Sequence, residues 1–541
     1  NFSAADEQSV AELKDALLSM DAGIGNLLFP NQRIVSGSNN WAVRGHLSAS
    51  GKPMLATDPH QPHSIPNTFF YVHLSTPDWD TFGATFPGIP YFMMGFNRNV
   101  SWGLTTGFID TFDVFVEREE APRSKQFIID IAGQSPASFD IDISDRGPIL
   151  ESLTDELGLS TPTTRQYTTS LNWVMKDIPT SAGTLALMPM SENSEEFGNS
   201  LFENDVCPLV NNIICVDQDD NLRRFIAATI QKRPGYKRPN QDAHGVTGSV
   251  PLAAWRHEYN FDISKADELT VEYNPDCGYS LTANDDTMED RGSFPIHNYP
   301  TFDARAKRIQ ALLDEKISKN SHPMFTSSDF ESMQQDILDL RAQETVPGII
   351  QCLTDPSASV QRARELLENW DFKAGLDSQA ACIYYPLMDK QWSMQFMHKV
   401  LGDDLILSLP TVAVALNKFS VDDFFQENSP WLVHRKTLDK IICDEVKKLV
   451  DNLDNEMGDQ WAWGELHQIS FKHSLSKFNE WGHMNAGPDP IAGSGTTLRM
   501  ALHIPAKDDT EKVRVYHGPA FRWVVDLADP LHFRFVIAGG N

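Results

Sequence analysis

Several familiar kinds of sequence signal are missing from this 541-residue chain. No stretch approaches the roughly 18 consecutive apolar residues that a membrane-spanning helix needs, which excludes a spanning segment on sequence grounds. Six cysteines (Cys207, Cys215, Cys277, Cys352, Cys382, Cys443) are scattered without a C-x-x-C pair, which argues against a zinc site. Cys382 and Cys443 sit in apolar surroundings as small core residues; a Cys207–Cys215 bridge stays open in an oxidising compartment. Basic charge is scarce: 45 Lys and Arg face 74 Asp and Glu, for a net charge of −29. Such a surface repels phosphates and anionic lipid, so nucleic acid is not an expected partner. There is no G-x-S-x-G elbow, H-E-x-x-H, Walker loop or G-x-G-x-x-G, and no internal repeat or low-complexity tract. No secretory leader opens the chain, which means little if it starts inside a longer gene product, as argued below.

What is present is ordinary globular material, 41% hydrophobic and 22% charged, enough for a large core. Residues 8–20 have helical spacing, and a Gly- and Pro-rich connector follows to Ser38. From Trp41 the chain turns to short strands rich in aromatic and β-branched residues: "WAVRG", "PMLATD", "TFFYVHLST", "TFGATF", "YFMMGFN", "VSWGLTTG". More short strands are expected over 125–180, one of them Thr168–Trp173, and "NNIICVDQDDNLRRFIAATI" predicts a hairpin about Asp219-Asp220-Asn221. After residue 300 helices dominate: "FDARAKRIQALLDEKI", "SSDFESMQQDILDLRA" with a capping box of Ser328 and Glu331, "SVQRARELLENWD", "FSVDDFFQEN" and "TLDKIICDEVKKLVDNL". Strands return in "RVYHGPAFRWVVDL" and "HFRFVIAGG". Strands, then helices, then strands suit packed sheets with helices outside or inserted.

One short window raises the chemical question. In "RIVSGSNNWAV" a small polar run abuts the start of a buried strand. A serine hydroxyl is a poor nucleophile without a base, and none is offered locally. Breaking the peptide bond before Ser38 would supply one. The freed α-amino group has a reference pKa of about 7.7–8.0 and can take the proton of its own hydroxyl. Gly37 suits such a cut, because it has no Cβ and leaves its carbonyl open to attack. Taken alone, the window reads equally as a turn serine before a strand. His60 and His63 in "DPHQPH" stand close together, but the prolines argue against a regular metal-ligand face.

The wider sequence gives that window a context. "GSNNWAV", "DPHQPH", "FYVHLSTPDWDTFGATFPGIPYFMMGFNRNVSWGLTTGFIDTFDVF" and "TANDD" resemble, in order, the penicillin acylase family of N-terminal nucleophile hydrolases. The motif set is Gly-Ser-Asn-x-Trp, Gly-Ala-Thr-x-x-Gly-x-Pro, Gly-Phe-Asn, Trp-Gly-x-Thr and a following Asp-x-x-Asp. The resemblance runs from Ser38 to the end and is densest from Ser38 to Phe115. It implies an α+β fold, a four-layer αββα sandwich with a largely helical inserted region. It also implies that Ser38 is the nucleophile, unmasked when the precursor cuts itself at Gly37-Ser38, and that no histidine serves as general base. His60 (through its backbone N–H, or its ring) and the Thr106 N–H match oxyanion donors. Asn284 matches the asparagine whose amide faces the oxyanion, and Arg305 the arginine that orients this network. Without the resemblance, His60 reads as a loop histidine, Asn284 as a turn former and Arg305 as a helix-face cation.

Further expectations come from the same resemblance. Asp110, the Phe112 carbonyl and Asp113 match ligands of a structural calcium, with Asp290 a candidate third acid; no cofactor is implied for catalysis. Gln61, Met94 and Leu104 fall at acyl-pocket positions, and Gln61 departs from the apolar residue of several relatives. Residues 1–37 match the end of an α region plus spacer, 38–300 the core, 301–460 a mainly helical region, and 461–541 strands returning to the core. Both ends look cropped. An α chain from the same precursor would complete a heterodimer, in a periplasmic or secreted setting. The implied activity is hydrolysis of a linear amide, such as a β-lactam side chain. An acyl-homoserine lactone acylase is the alternative on the same scaffold. A non-catalytic binding protein whose Ser38 is never unmasked, and a plain serine hydrolase with a histidine base, are alternatives of other kinds.

Overall fold

The computed structural model describes residues 37–117, 123–152, 168–177, 182–232, 251–285, 287, 303–319, 324–389, 392–402, 422–426, 429–504 and 513–539. The helix expected over 8–20, most of the connector before Ser38, and Asp290 lie outside them.

Two sheets carry the core. The first has ten strands, with central order Tyr279–Thr282, Gly37–Val43, Met54–Pro62, Val513–Pro519, His467–His473, Ala486–Pro490. Phe521–Asp526 also pairs with Met54–Pro62 and carries Arg534–Ile537 at its other edge. The second sheet has seven strands in the order Thr270–Tyr273, Leu222–Ala228, Val210–Asp217, Val100–Thr106, Met94–Phe96, Asp80–Thr85, Phe70–Ser75. The C-terminal strands thus return to the sheet that holds Ser38, and the hairpin expected about Asp219-Asp220-Asn221 forms.

Side-chain alternation sorts the layers, since neighbouring residues of a strand point to opposite faces. Trp41 and Val43 share a core cluster with Ile309, Leu313 and Phe330, on helices Ala304–Lys319 and Ser327–Met333. Ala42, between them, packs in the cluster that joins both sheets. On the second sheet Trp102 packs, tilted, against Phe197 of helix Ser194–Leu201, with ring centroids 5.3 Å apart. Helix, sheet, sheet, helix is the four-layer order expected. A separate helical core gathers Leu340–Cys352, Ala358–Glu368, Gln379–Asp389, Trp392–Leu401 and Arg435–Met457, which fits the inserted helical region.

Some local readings are corrected. The capping box lies two residues earlier, Thr326 with Asp329. The single helix expected over "SSDFESMQQDILDLRA" is two, because Asp339 starts a new one by accepting the Ala342 N–H at 3.2 Å. In "FSVDDFFQEN" the described residues form only a 3₁₀ turn, Asp423–Phe425. Cys207 and Cys215 are free, buried thiols.

The two sheets touch most closely where side chains are small. A Cβ on Gly103 would lie 2.5 Å from Asn40 Oδ1 and 2.9 Å from Thr57 Oγ1. Both are groups of the opposing sheet. Gly103→Ala should therefore lower stability by about 1–3 kcal/mol, the usual range for overpacking a filled interior; thermal or urea denaturation measures it.

Candidate active site

Ser38 enters the first sheet between Met54–Pro62 and Tyr279–Thr282, with Gly37 opposite His60 and Ser38 opposite Pro59. It is 3% exposed. Its hydroxyl donates to the Gly37 carbonyl oxygen at 2.5 Å, so the expected nucleophile and the expected scissile carbonyl are already in contact across an intact peptide bond. The Ser38 N–H donates to Asn284 Oδ1 at 2.6 Å. Arg305 Nη1 donates to the Ser38 carbonyl at 2.9 Å and to Asn39 Oδ1 at 2.7 Å, and Nη2 donates to Asn284 Oδ1 at 3.0 Å. Asn284 Nδ2 donates to the Thr106 carbonyl at 2.8 Å. Ser38, Thr106, Asn284 and Arg305, 267 residues from first to last, thus form one network.

Local chemistry explains how Asn284 reaches this place. Its φ is +67°, a left-handed conformation that asparagine tolerates better than most residues. The neighbouring Asp285 carboxylate accepts the Ala283 N–H at 2.7 Å and fixes the turn. Burial raises the Asp285 pKa. Arg305 is buried, and its pKa falls to about 10 through burial, opposed by Asp285 and Asp58.

His60 is fully buried, and its ring lies on the helix-facing side with Gly37, where a Gly37 Cβ would be 2.7 Å from His60 Nδ1 and 2.5 Å from Met500 Sδ. Alternation turns that ring away from the Ser38 side chain. His60 Nε2 is 3.4 Å from Asp58 Oδ1. The pair is close enough for attraction, but neither atom has a well-aligned hydrogen bond. Burial lowers the His60 pKa against the pull of Asp58. Burial and neighbouring imidazoles take His63 to about 4 and His517 to about 3.

The pocket candidates divide. Met94 is fully buried and its sulfur accepts from Thr57 Oγ1 at 3.8 Å; half-buried Gln61 shares the Thr57 and Pro59 face of its strand by alternation. Leu104 does not join them. Gly103 and Thr105 on either side face the first sheet, the latter through a 3.0 Å contact of Thr105 Oγ1 with Thr282 Oγ1. Leu104 therefore points to the outer layer with Trp102, and its assignment to the pocket is withdrawn.

Calcium has only a partial donor set. Asp110 is half-buried and Asp113 buried. Among the described residues no group of three or more His, Cys, Asp or Glu side chains is placed to hold a metal, whereas calcium takes six to eight oxygens. The Arg146 guanidinium already sets positive charge beside Glu117 and Asp113. These residues alone do not fit a complete calcium site.

Several participants were missed in the sequence. Asn39 bridges Arg305 to Asp58 (Nδ2 to Oδ2, 3.4 Å), and Arg522 Nε reaches Asp58 Oδ2 at 3.2 Å. Asp58 closes the expected strand "PMLATD" with no chemical role attached to it, and Arg522 lies 464 residues away. Met500, against Gly37, borders a cavity of about 150 Å³ lined also by His63, Phe471, Pro519 and Arg522. A larger polar cleft of about 460 Å³ surrounds Asp217 and Asn221; Asp217 pairs with Val100, at the far end of the strand from Thr106.

Comparison with known proteins places these features. Residues 2–541 match the family described as penicillin amidase. The acyl-homoserine lactone acylase QuiP of Pseudomonas aeruginosa is 23% identical over 91% of this chain and 62% of that protein. The penicillin acylase 2 proenzyme of Pseudomonas sp. (strain SE83) is 24% identical over 93% of this chain and 63% of that protein. The chain thus spans about three-fifths of the length of these curated relatives. A thermostable penicillin G acylase from Alcaligenes faecalis superposes with a TM-score of 0.58 at 15% identity, covering 90% of this chain and 87% of that one. That likeness confirms the αββα fold.

Two outcomes follow from the geometry. Asn284→Gly and Asn284→Ala both lose the network, but alanine also pays for the left-handed backbone. The alanine variant should be less stable by about 1 kcal/mol, as denaturant titration of both would measure. The buried imidazoles bind protons less readily folded than unfolded. Their contribution to stability is full above the unfolded value of about 6.5 and is lost as pH falls through the folded values of His63 and His517, about 4 and about 3. The thermal midpoint should drop by several degrees between pH 6.5 and 4, and less in His517→Gln.

Proposed function

The chain belongs to the penicillin amidase family, and from that membership we propose that it is an amidohydrolase armed by its own cleavage at Gly37-Ser38. The observation that carries the reading is the contact of the Ser38 hydroxyl with the Gly37 carbonyl, inside a network that pins the serine's N–H and C=O. In the first step Ser38 Oγ adds to the Gly37 carbonyl carbon. The hydroxyl proton passes to the Ser38 nitrogen as the C–N bond breaks, leaving a Gly37 ester on Oγ and a free amine. Water hydrolyses the ester and Gly37 leaves as a carboxylate.

The freed amine then serves as the base. Arg305, bonded to the Ser38 carbonyl, disfavours its protonated form, so a useful fraction is neutral near pH 7. The amine takes the Oγ proton as Oγ adds to a substrate amide and returns it to the leaving nitrogen. Water, deprotonated by the same amine, frees the acid. The His60 N–H, the Thr106 N–H and the second Asn284 amide hydrogen stabilise the oxyanion; each such donor is worth about 10²–10³ in rate. Gln61 and Met94 border the acyl group. No step uses a metal, and a structural calcium on Asp110, Phe112 and Asp113 would need oxygens from outside the described residues.

The substrate is a linear amide, with a β-lactam side chain as the first class. Acyl-homoserine lactones are the second, because a relative named for that activity matches at 23% identity, beside 24% for the penicillin acylase. An α segment of the same precursor is the proposed partner, and a periplasmic or secreted location fits this reading.

Intact-mass analysis of freshly made protein should reveal a new N-terminus, Ser-Asn-Asn-Trp. Ser38→Ala should remain uncut and inert; turnover by that variant, or by uncut wild type, would end the proposal. Asn284→Ala should slow hydrolysis of chromogenic amides by about 10²–10³, and varying the acyl chain separates the two substrate classes.

A further inference from the structure

Ser38 lies beside a layered set of buried charges, not a single arginine. Asp58 has no exposed surface and is shared among three strands. Its Oδ2 takes Arg522 Nε at 3.2 Å and Asn39 Nδ2 at 3.4 Å, and its Oδ1 faces His60 Nε2 at 3.4 Å. Asn39 Nδ2 also donates to the Leu498 carbonyl at 2.9 Å, and the two contacts together leave the amide oxygen turned to Arg305 Nη1 at 2.7 Å. Arg305 in turn holds the Ser38 carbonyl and Asn284, whose oxygen receives the Ser38 nitrogen. A continuous path of polar contacts therefore joins Arg522, on a strand near the end of the chain, to the nitrogen of Ser38. Burial would raise the Asp58 pKa, but Arg522 and His60 outweigh it and keep the carboxyl ionised.

We propose that Asp58 and Arg522 are positioning residues that act through Asn39 and Arg305 to set the basicity of the Ser38 amino group. The proposal rests on the reading that this amine is the catalytic base. An amine beside Arg305 alone would be held neutral too strongly, and a weak base takes a hydroxyl proton poorly. The Asp58 charge moderates that field, and Arg522 keeps the carboxylate charged and fixed. The groups facing this region are Arg305 and Asp285 from the helix and turn, Asp58, His60 and His63 from the adjoining strand segment, and His517, Arg522 and Arg499 from the C-terminal part. Of these only Asp58 links Arg522 to the Asn39–Arg305 path by hydrogen bonds.

The signs are opposite for the two residues, which makes the test specific. Removing a negative charge disfavours the ammonium form and lowers the amine pKa; removing a positive charge raises it. In processed protein carrying ¹⁵N-labelled serine, NMR titration of the Ser38 amine should give a value lower by about half a unit or more in Asp58→Asn, and higher by a similar amount in Arg522→Gln. The acid limb of the rate profile should move the same way. The double variant should return close to wild type, as should Asp58→Glu and Arg522→Lys. Unchanged titrations, or shifts of the same sign in both single variants, would overturn the proposal. If neither single variant folds, the charge-matched double variant decides: a near-wild-type amine supports it, and its failure to fold assigns the pair to stability instead. Wild-type protein that stays uncut would already refute the underlying reading, before any variant is compared.

Discussion

The Arg305 guanidinium organises everything around Ser38. It is a buried cation, and a buried cation survives only with its hydrogen bonds made and its charge answered. It meets that demand with the carbonyl of Ser38 and the side chains of Asn39 and Asn284, and with the nearby carboxylates of Asp58 and Asp285. Each partner is thereby fixed relative to Ser38. The hydroxyl of Ser38, bonded to the Gly37 carbonyl, sits among these held groups.

The sandwich makes this possible by offering two different faces of one strand. Asn39, Trp41 and Val43 look toward the helix Ala304–Lys319, which supplies Arg305; Ala42 and the side chain of Asn40 look toward the second sheet. The same alternation sends Asp58 and His60 to the Arg305 side and leaves Gln61 on the other. Polar support and the proposed substrate wall are thus separated by the sheet itself. A slip of one residue in the pairing of Gly37–Val43 with Met54–Pro62 would exchange them. The register, paired along the whole strand with Met54–Pro62 and from Asn40 to Val43 with Tyr279–Thr282, is what prevents it.

Much of this fold was legible from the sequence because its signals are local. Short aromatic strands, the Asp219-Asp220-Asn221 turn and the amphipathic Ala304–Lys319 helix all announce themselves within a few residues. The meeting of Ser38, Asn284 and Arg305 was legible only through family resemblance, since nothing local says that positions 246 residues apart will bond. Asp58 reads only as a strand end before Pro59, although the paired strand continues through Pro59 and brings Asp58 opposite Asn39. Arg522 was hidden because its neighbours form an ordinary alternating strand. Leu104 was misplaced for a related reason: a motif alignment gives position along a strand but not which face the side chain takes.

Burial of Ser38 and the identity of Gly37 belong to one constraint. At 3% exposure the serine cannot meet a substrate in the uncut chain. Gly37 fills the space against His60 and Met500 so tightly that even one added carbon would lie within 2.9 Å of three atoms. A larger residue would have to displace the Met500 side chain and the buried His60 ring. Glycine permits the close fit that brings the carbonyl to the hydroxyl. Its departure would remove the group packed on the far side of the serine nitrogen, next to the cavity bordered by Met500 and Arg522. Cleavage in this arrangement would create the base at the nitrogen that Asn284 holds.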